Sequence, residues 1–423
     1  MDGNSMKRQE NTASRQMFER ALKVIPTGIP GHLGPVNSQF IPVSAYPFYV
    51  DHVQDSYFWD IDGNRYIDYM CAYGPNVLGY NNRVVEAAVQ AQRARGDCMA
   101  LPSARQVELA ELLVETITIA DWAFFAKNGN DVTTLAAMTS RAATGRKKIL
   151  MVKGGYHGAA PWTQKAGRPG VTDEDVANNL YVEWNNLKEF EQIVSDNRGQ
   201  IAMFISTPYH HPVFTDNVLP AEGWWTGVEK ICRENGIVLA IDDIRAGFRC
   251  ALGGSADYFG FKPDLACYCK AIANGQTISA LVGTNALRNA VSDVFFTGSY
   301  WSGSVAMAGA IATIKELHRL DGANMMIDKG RRLTDGMVKA AADCRLNLKV
   351  SGMPSMFYIR ITDDDSLMMT QEFTAECTRR GAFLVSHHNH FINCSLTDTD
   401  IAETIEIAHE AFRVVAKRHG RLD

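Results

Sequence analysis

Two short apolar segments in the middle of the chain each end on a charged side chain, and this pair constrains the fold most. The run IVLAI at 237–241 leads to Asp242 and Asp243, and the run LACYC at 265–269 leads to Lys270. Uninterrupted apolar runs of this length predict buried strands. A carboxylate and an amine therefore stand at the ends of two strands. Taken singly, each has a commoner explanation, because Asp after a strand often caps a helix and most lysines are surface charges.

The combination of these two side chains suits the chemistry of pyridoxal phosphate. A lysine amine can form a Schiff base with the aldehyde of that cofactor. A carboxylate beside the pyridine nitrogen keeps the nitrogen protonated, so that the ring accepts electrons. We therefore predict that Lys270 and Asp242 are catalytic, that both bind the cofactor, and that the cofactor is pyridoxal 5'-phosphate.

Composition favours an enzyme and argues against several other classes of protein. A chain of 423 residues, 46% of them hydrophobic, can bury a large core and is expected to form two domains. The formal net charge of −5 indicates no partnership with nucleic acid or a membrane surface. The polar segment 1–15 lacks the pattern of a secretory signal. Nine scattered cysteines are typical of core residues in a reducing compartment, so we expect a cytoplasmic enzyme.

Strands and helices alternate along the sequence. Further strands are predicted by apolar runs at 122–126, 148–152, 202–206 and 278–283. Periodic apolar residues predict helices between and after these strands, among them a long helix at 329–342 near the C-terminus. This alternation predicts an α/β protein with a mostly parallel or mixed sheet.

The segment that follows the predicted strand at 122–126 has the features of an anion site. Asn128, Gly129 and Asn130 form a small-residue turn that opens a long helix. Free backbone N–H groups and the helix dipole at such a turn favour a phosphate. We predict that these three residues bind the phosphate of the cofactor.

Several motifs resemble one enzyme family. The segment IDDIRAGFR at 241–249, PDL at 263–265 and Lys270 resemble the core signature of class III pyridoxal-phosphate aminotransferases, a group that includes the glutamate-1-semialdehyde aminomutase type. Further segments are similar to the aminotransferases that take the primary amine from hydrolysed fumonisin, with pyruvate as acceptor: MCAYGPN at 70–76, KNG at 127–129, ANG at 273–275 and TGSYW at 297–301.

The resemblance covers nearly the whole chain and implies the fold type I architecture of pyridoxal-phosphate-dependent transferases. A large cofactor-binding domain with a mostly parallel central sheet is expected at 68–317. A smaller α+β domain is expected from both chain ends, 1–67 and 318–423. Active sites of this fold lie between two subunits, so the resemblance also implies a homodimer. Its reaction takes a small-molecule amine donor and a keto-acid acceptor.

The resemblance also implies roles for individual side chains. Tyr156 would stack on the pyridine ring, which suits a flat aromatic face, with His157 beside it. The hydroxyl of Ser299 would reach the phosphate bound in the partner subunit. Four further residues are predicted to form the wall that contacts the substrate: His32, Tyr73, Trp162 and Trp301.

Departures from the family pattern point to the substrate. Thr207 stands where most relatives carry glutamate, and no arginine occurs at 28–57 or 381–411, where relatives hold a substrate carboxylate. We therefore predict transfer of an amino group from a bulky primary amine or amino alcohol to a keto acid, with pyruvate as the expected acceptor. The histidines at 210–211 lack partners for a metal site, so none is predicted. Those at 387–390 are expected to form a polar rim.

Two other functions fit the same motifs. An aminomutase or racemase of this fold would interconvert its substrate without consuming a keto acid. A non-catalytic binding relative would share the fold, but the intact Asp242 and Lys270 argue against it.

Overall fold

The computed structural model describes residues 11–29 and 45–422. The first half of the chain carries the helices and strands that lead to the centre of the fold: α1 Thr12–Ala21, β1 Val50–Gln54, β2 Tyr57–Asp60, β3 Arg65–Asp68, α2 Arg83–Arg93, α3 Ala104–Thr116, β4 Trp122–Ala126, α4 Gly129–Thr144, β5 Lys148–Val152, α5 Asp173–Val176, β6 Asn179–Val182, α6 Leu187–Asp196 and β7 Ile201–Ser206.

The second half carries the strands that end in the charged pair and then the C-terminal elements: α7 Trp224–Asn235, β8 Val238–Asp242, α8 Ser255–Phe259, β9 Leu265–Tyr268, β10 Ser279–Gly283, α9 Arg288–Asp293, α10 Ser304–Leu320, α11 Gly322–Asp343, β11 Leu348–Met353, β12 Met356–Ile361, α12 Met368–Thr378, β13 Ala382–Phe383 and α13 Asp398–Arg418.

A seven-stranded sheet forms the centre, in the order β4-β10-β9-β8-β7-β5-β6. The pairs β9–β8, β8–β7, β7–β5 and β5–β6 are parallel, whereas β10 runs antiparallel to both of its neighbours. Helices pack on both faces, as parallel strands require, because neither face of such a sheet can stay in water. The predicted α/β fold with a mostly parallel central sheet is therefore confirmed.

Strands β8 and β9 lie side by side at the middle of this sheet. They are parallel, and Asp242 faces Cys267 across the pair. Both strands are fully buried, which explains their uninterrupted apolar sequences. Since parallel strands end at the same edge, Asp242 and Lys270 emerge together at the carboxyl edge of the sheet.

A smaller sheet joins the two ends of the described chain. Its order is β1-β2-β3-β13, and β13 pairs in parallel with β3. The hairpin β11–β12 and the packed helices α11, α12 and α13 complete this separate small domain. The boundaries at residues 67/68 and 317/318 stay a prediction. In the described part of the chain, no helix combines the length and apolarity that crossing a bilayer requires.

Candidate active site

A cavity of about 570 Å³ opens at the carboxyl edge of the central sheet, around the ends of β8 and β9. Its volume lies within the range of about 300–1,000 Å³ that is usual for small-molecule sites. Ligands of open α/β sheets bind at this edge. The lining comprises fifteen residues from five segments: Asn128–Asp131, Tyr156–Ala159, Thr207 with His211, Asp242 with Ile244 and Arg245, and Cys269 with Lys270.

Lys270 follows β9 directly and adopts a left-handed backbone conformation, with φ of +47°. Such a conformation is uncommon outside glycine and persists where the surrounding structure imposes it. Burial, and then the charge of Arg245, lower the pKa of Lys270 from 10.5 to about 7. Among the described residues, none forms a hydrogen bond or ion pair with its Nζ. The amine is therefore available as a neutral nucleophile near pH 7.

Gly74 brings a second segment close to Lys270. It ends a turn in which Cys71, Ala72 and Tyr73 all have positive φ, between 46° and 65°. A Cβ added at Gly74 would lie 3.5 Å from Lys270 Cδ and 3.1 Å from the ring of Phe391. Glycine here lets the backbone approach the lysine side chain closely.

Asp242 forms a buried pair with His157. Both side chains are almost wholly buried, and His157 Nδ1 lies 2.7 Å from Asp242 Oδ2. Nδ1 donates if the carboxyl is ionised, since a carboxylate only accepts. The other oxygen, Oδ1, accepts a hydrogen bond from Ile244 N at 3.2 Å. The carboxylate is thereby held in one orientation at the cavity wall.

Asp243 serves a different purpose from its neighbour. It is buried outside the cavity lining, and its Oδ2 accepts a hydrogen bond from Ser255 N at 2.9 Å. Burial raises the pKa of Asp243 to about 6. Because successive side chains along a strand point to opposite faces, only one of the two aspartates reaches the cavity.

The turn at Asn128, Gly129 and Asn130 lines the cavity at the start of α4. Asp131 Oδ2 accepts hydrogen bonds from the backbone N–H groups of Lys127 and Asn128. The first N–H groups of a helix have no carbonyl partner within it, so this end can receive an anion. Asn130 Oδ1 is occupied by Ala159 N and Ala160 N, so Asn130 can offer an anion its backbone N–H but not that oxygen.

Two positions in this region require the absence of a side chain. A Cβ on Gly129 would lie 2.6 Å from Ile244 Cδ1, and one on Gly158 would lie 2.6 Å from Asn130 Oδ1. Gly158 also has φ of +120°. At Gly158 the loop that carries Tyr156 and His157 lies close against the start of α4, and at Gly129 the side chain of Ile244 does so. Tyr156 lines the cavity with 62% of its surface exposed, so its ring face is open to a ligand.

Uncharged groups form the wall beside Asp242. Thr207 is buried and donates its hydroxyl proton to the carbonyl oxygen of Tyr209 at 2.9 Å. His211 is also buried, and its Nε2 has no hydrogen-bond partner in the described part of the chain. Burial, followed by the charge of Arg245, holds the pKa of His211 well below its usual range, so the ring is neutral.

Other predicted residues lie away from the cavity of this chain. Trp162 packs against a cluster of buried apolar residues that includes Ala136 and Ile149, and it donates its Nε1 hydrogen to Thr134 Oγ1 at 3.1 Å. Trp301 packs edge-on against Phe124, and Ser299 lies in the adjacent exposed loop. None of these predicted residues lines the cavity.

Tyr73 and His32 complete the predicted substrate wall. The ring of Tyr73 is edge-on to His388 at 5.3 Å between centroids, next to the Gly74 contact with Lys270. Tyr73 is partly buried and does not line the cavity of this chain. His32 falls outside the described residues.

The expectation of a polar histidine rim was wrong. His387, His388 and His390 are 8%, 7% and 0% exposed, and burial lowers the pKa values of His388 and His390. They pack inside the C-terminal segment because His390 accepts a hydrogen bond from Val385 N and its own N–H binds Phe357 O. Across 11–29 and 45–422, no cluster of three or more His, Cys, Asp or Glu could hold a metal ion.

Sequence reasoning missed one cavity residue of evident chemical importance. Arg245 lies in the quoted DDIRAGFR motif, three residues after Asp242, yet it received no role. Its side chain is 9% exposed and lines the cavity. The available signal was its place in the turn directly after a strand that ends at the site.

The residues present fit pyridoxal phosphate. Lys270 offers an unpartnered amine, and Asp242 offers a fixed carboxylate for a ring N–H. The start of α4 offers N–H groups for a phosphate, and the open ring of Tyr156 can stack on a heterocycle. All four features border one cavity, as a single ligand carrying an aldehyde, a ring nitrogen and a phosphate requires.

Comparison with known proteins agrees with this chemistry. An aminopentol aminotransferase of Sphingopyxis macrogoltabida is 38% identical over 97% of this chain and 96% of its own length. A 3-aminobutyryl-CoA aminotransferase of Cloacimonas acidaminovorans is 33% identical over 96% and 97%. The FumI protein of Sphingopyxis sp. MTA144, solved in its PLP internal aldimine form, superposes with a TM-score of 0.94 at 38% identity, covering 97% of this chain and 98% of that one.

The family model described as aminotransferase class-III matches residues 41–412. It spans both sheets and every element that contributes to the cavity. The chain therefore belongs to the class III aminotransferases, and it is a transaminase that depends on pyridoxal phosphate.

Proposed function

We propose that this enzyme transfers the amino group of a bulky primary amine or amino alcohol to a keto acid, with pyruvate as the preferred acceptor. The observation that carries the proposal is the match to an aminopentol aminotransferase over nearly the whole length of that relative. The name aminopentol denotes an amino alcohol and no carboxylic acid. Thr207 and His211 add no positive charge to the wall beside Asp242, so neither of these two groups requires a carboxylate on the donor.

Pyridoxal phosphate, when bound, supplies an aldehyde that condenses with amines and a ring that accepts electrons. Lys270 would hold the cofactor through its Nζ and would be freed when a donor amine binds. Its neutral Nζ then removes the proton from the carbon that carries the donor nitrogen and returns it at the neighbouring carbon of the cofactor. The lowered pKa supports this role, because a general base works best when its pKa is near the working pH.

Asp242 and His157 keep the cofactor ring electron-accepting. The ionised carboxylate accepts the hydrogen of the ring nitrogen and so favours the protonated ring. His157 Nδ1 donates to Asp242 Oδ2 and thus fixes the orientation of the carboxylate. His157 acts on the chemistry through Asp242 and is therefore a positioning residue.

A donor and acceptor panel tests the proposal. Bulky primary amines, amino alcohols, alanine and glutamate are each offered with pyruvate and with 2-oxoglutarate, and alanine or glutamate formation is measured. We expect the highest kcat/KM for a bulky amine with pyruvate, and loss of all turnover in Lys270→Ala. The proposal fails if an α-amino acid is much the best donor, and the role of Lys270 fails if the variant keeps near-normal activity.

An isomerase of the same fold is the alternative. A glutamate-1-semialdehyde 2,1-aminomutase of Methanocaldococcus jannaschii is 32% identical over 83% of this chain. Such an enzyme moves the amino group within one molecule, so its turnover needs no keto acid. Product that forms at the same rate with and without added pyruvate would favour the isomerase.

We propose further that the enzyme is a homodimer in which Ser299 and Trp301 serve the partner's site. The loop that carries them is exposed, with Phe295 89% and Tyr300 67% exposed, and it lies away from the cavity of its own chain. Large exposed aromatic side chains are typical of interfaces. A mixed dimer of Lys270→Ala and Ser299→Ala chains should contain one site with normal affinity for pyridoxal phosphate, whereas a site built within one chain would give none.

A cytoplasmic location is also proposed. The nine cysteines of the chain are all free thiols, which suits a reducing compartment. Cell fractionation of the native host that recovers the enzyme from an oxidising compartment would refute this location.

A further inference from the structure

Arg245 is a buried cation that the proposed reaction has not yet used. It follows β8 in the turn after Asp242 and lines the same cavity as Lys270. Its Nη1 donates hydrogen bonds to Asn389 Oδ1 at 2.8 Å and to His211 O at 3.3 Å. Across the described residues, its Nε and Nη2 have no partner, and no carboxylate lies within ion-pair distance.

The other buried arginine of this segment shows what a structural role looks like. Arg249 is fully buried, and its two Nη groups donate to Gly74 O at 2.5 Å and Ile392 O at 3.1 Å. Its guanidinium also lies over the ring of Phe391 at 5.1 Å. Arg249 thus donates from both Nη groups to protein carbonyls. Arg245 uses only Nη1 in hydrogen bonds with the protein, and its Nε and Nη2 lie beside the cavity.

Arg245 has no ion-pair partner among the described residues, and burial lowers its pKa although the charges of Tyr209 and Asp242 oppose the shift. Asp242 is bound to His157 and to Ile244 N, and Asp131 is bound to backbone N–H groups. The charge of Arg245 also disfavours protonation of Lys270 and His211. Burying a guanidinium without a counter-charge is costly, and buried charges in proteins are normally paired. An anion that enters the cavity would remove this cost.

We propose that Arg245 binds an anionic oxygen presented beside Lys270, as a specificity-determining residue of the proposed transamination. Two reactants carry such an oxygen: the keto acid in its carboxylate, and the cofactor in the phenolic oxygen next to its aldehyde. The phenolic oxygen lies next to the aldehyde to which Lys270 bonds, and the carboxylate lies next to the carbon between which and the cofactor Lys270 transfers a proton. A guanidinium fork suits either oxygen. The inference rests on the proposed function for the first source and on the cofactor alone for the second.

The proposal resolves a difficulty that the donor creates. A site that takes a bulky amine without a carboxyl group and then a keto acid must bind a negative charge in only one half of the reaction. Arg245 is anchored through Nη1 by Asn389, so its remaining donors can stay in place when no anion is present. The acceptor then gains a charge-assisted contact that the donor does not need.

The test compares Arg245→Met with the parent enzyme, both loaded with cofactor. Arg233→Met is the matched control, because Arg233 is 62% exposed on α7, pairs with Glu229 and lies outside the cavity lining. Arg245→Gln serves as a second neutral variant if the methionine variant does not fold. Circular dichroism and thermal melting establish which variants are folded.

Two measurements distinguish the two sources of the anion. In the first, the absorption band of bound cofactor is titrated with pH without substrate, and loss of the cation should raise its apparent pKa by about one unit or more if Arg245 holds the phenolic oxygen. In the second, KM is measured with a fixed amine for pyruvate and for acetaldehyde, which lacks the carboxylate. Loss of a charge-assisted contact should raise KM for pyruvate roughly 10- to 100-fold and leave KM for acetaldehyde unchanged.

Either effect, or both, supports the proposal and identifies the source. The proposal is overturned if a folded neutral variant shows the parent's spectral titration and the parent's KM for both acceptors. If the parent enzyme transfers no amino group, the proposed function has failed, and the spectral titration alone then decides the role of Arg245.

Discussion

Lys270 provides the sharpest prediction, because the protein lowers its pKa and the reaction needs the neutral amine. Burial is the main cause, the charge of Arg245 adds to it, and Asp242 opposes the shift without cancelling it. With a pKa of about 7, we expect the apoenzyme to carry a neutral amine at this position under ordinary assay conditions.

The expected size of the effect follows from the shift. At pH 8 a lysine with a pKa of 7 is about 90% neutral, whereas an ordinary lysine with a pKa of 10.4 is about 0.4% neutral. The neutral fractions differ roughly 200-fold. Acylating reagents attack only the neutral amine, so the labelling rate of each lysine reports its own neutral fraction.

Competitive acetylation of the apoenzyme between pH 5 and pH 11, followed by peptide mass spectrometry, measures this fraction. Labelling of Lys270 should reach half of its maximum near pH 7, while the exposed lysines of the same sample give the reference for ordinary amines. Arg245→Met should move the Lys270 midpoint upward, since it removes the second cause of the shift. A Lys270 labelling rate that keeps rising through pH 9 with the reference would refute the reasoning.

The same shift predicts a pH dependence of stability. The folded pKa lies below the unfolded one, so between about pH 7 and pH 10.4 the unfolded chain binds more protons at this position. The contribution of Lys270 to the free energy of unfolding therefore rises with pH across this window. Denaturant unfolding of apoenzyme should show that the difference between parent and Lys270→Met changes with that sign, and a flat difference would contradict it.

Three further substitutions test the rest of the site. His157→Leu removes the donor to Asp242 and should lower kcat about 10- to 150-fold. His157→Asn keeps a donor near the position of Nδ1 and should retain more activity, so equal kcat values for the two variants would contradict the positioning role. Gly129→Ala collides with Ile244 and should weaken cofactor binding about 5- to 150-fold, and Ile244→Ala in the same chain should restore the Kd measured by absorbance titration. Arg249→Met should lower the free energy of unfolding by roughly 3 kcal/mol in denaturant titration, because it leaves two buried carbonyls unpaired; an unchanged midpoint would show that these bonds contribute nothing.

The centre of the fold could be predicted from the sequence because its strands are buried on both faces. Such strands have apolar sequences, so 122–126 and 148–152 stand out without reference to partners, and both were predicted with the bounds observed. Asp242 and Lys270 were found for the same reason. The combination of an aspartate and a lysine that each end an apolar run is rarer than either alone, and the parallel arrangement of β8 and β9 brings the two side chains together.

Residues whose position depends on a turn could not be predicted in this way. The direction of the chain after β8 decides whether Arg245 faces solvent or the cavity, and no periodicity encodes that direction. The histidines at 387–390 read as polar surface because their burial depends on backbone partners distant in sequence. Helix α11 starts at Gly322, before the predicted 329. Within it, Gly330 lies where a Cβ would meet Pro354 O at 2.0 Å, a contact visible only in three dimensions.

The two residues that accept hydrogen bonds from Arg245 belong to different parts of the fold. His211 belongs to the segment after β7 in the large sheet, whereas Asn389 belongs to the C-terminal segment beyond β13. A shift of the small domain would therefore move Asn389 relative to the turn that follows Asp242 and would change where the free donors of Arg245 point. Asn389→Ala removes no cavity-lining side chain but frees Arg245 from one anchor. It should therefore weaken pyruvate binding in the same direction as Arg245→Met but less, with the KM for acetaldehyde unaltered. If Asn389→Ala instead raised the KM for both acceptors equally, Asn389 would support the fold of the cavity and not the orientation of the Arg245 guanidinium.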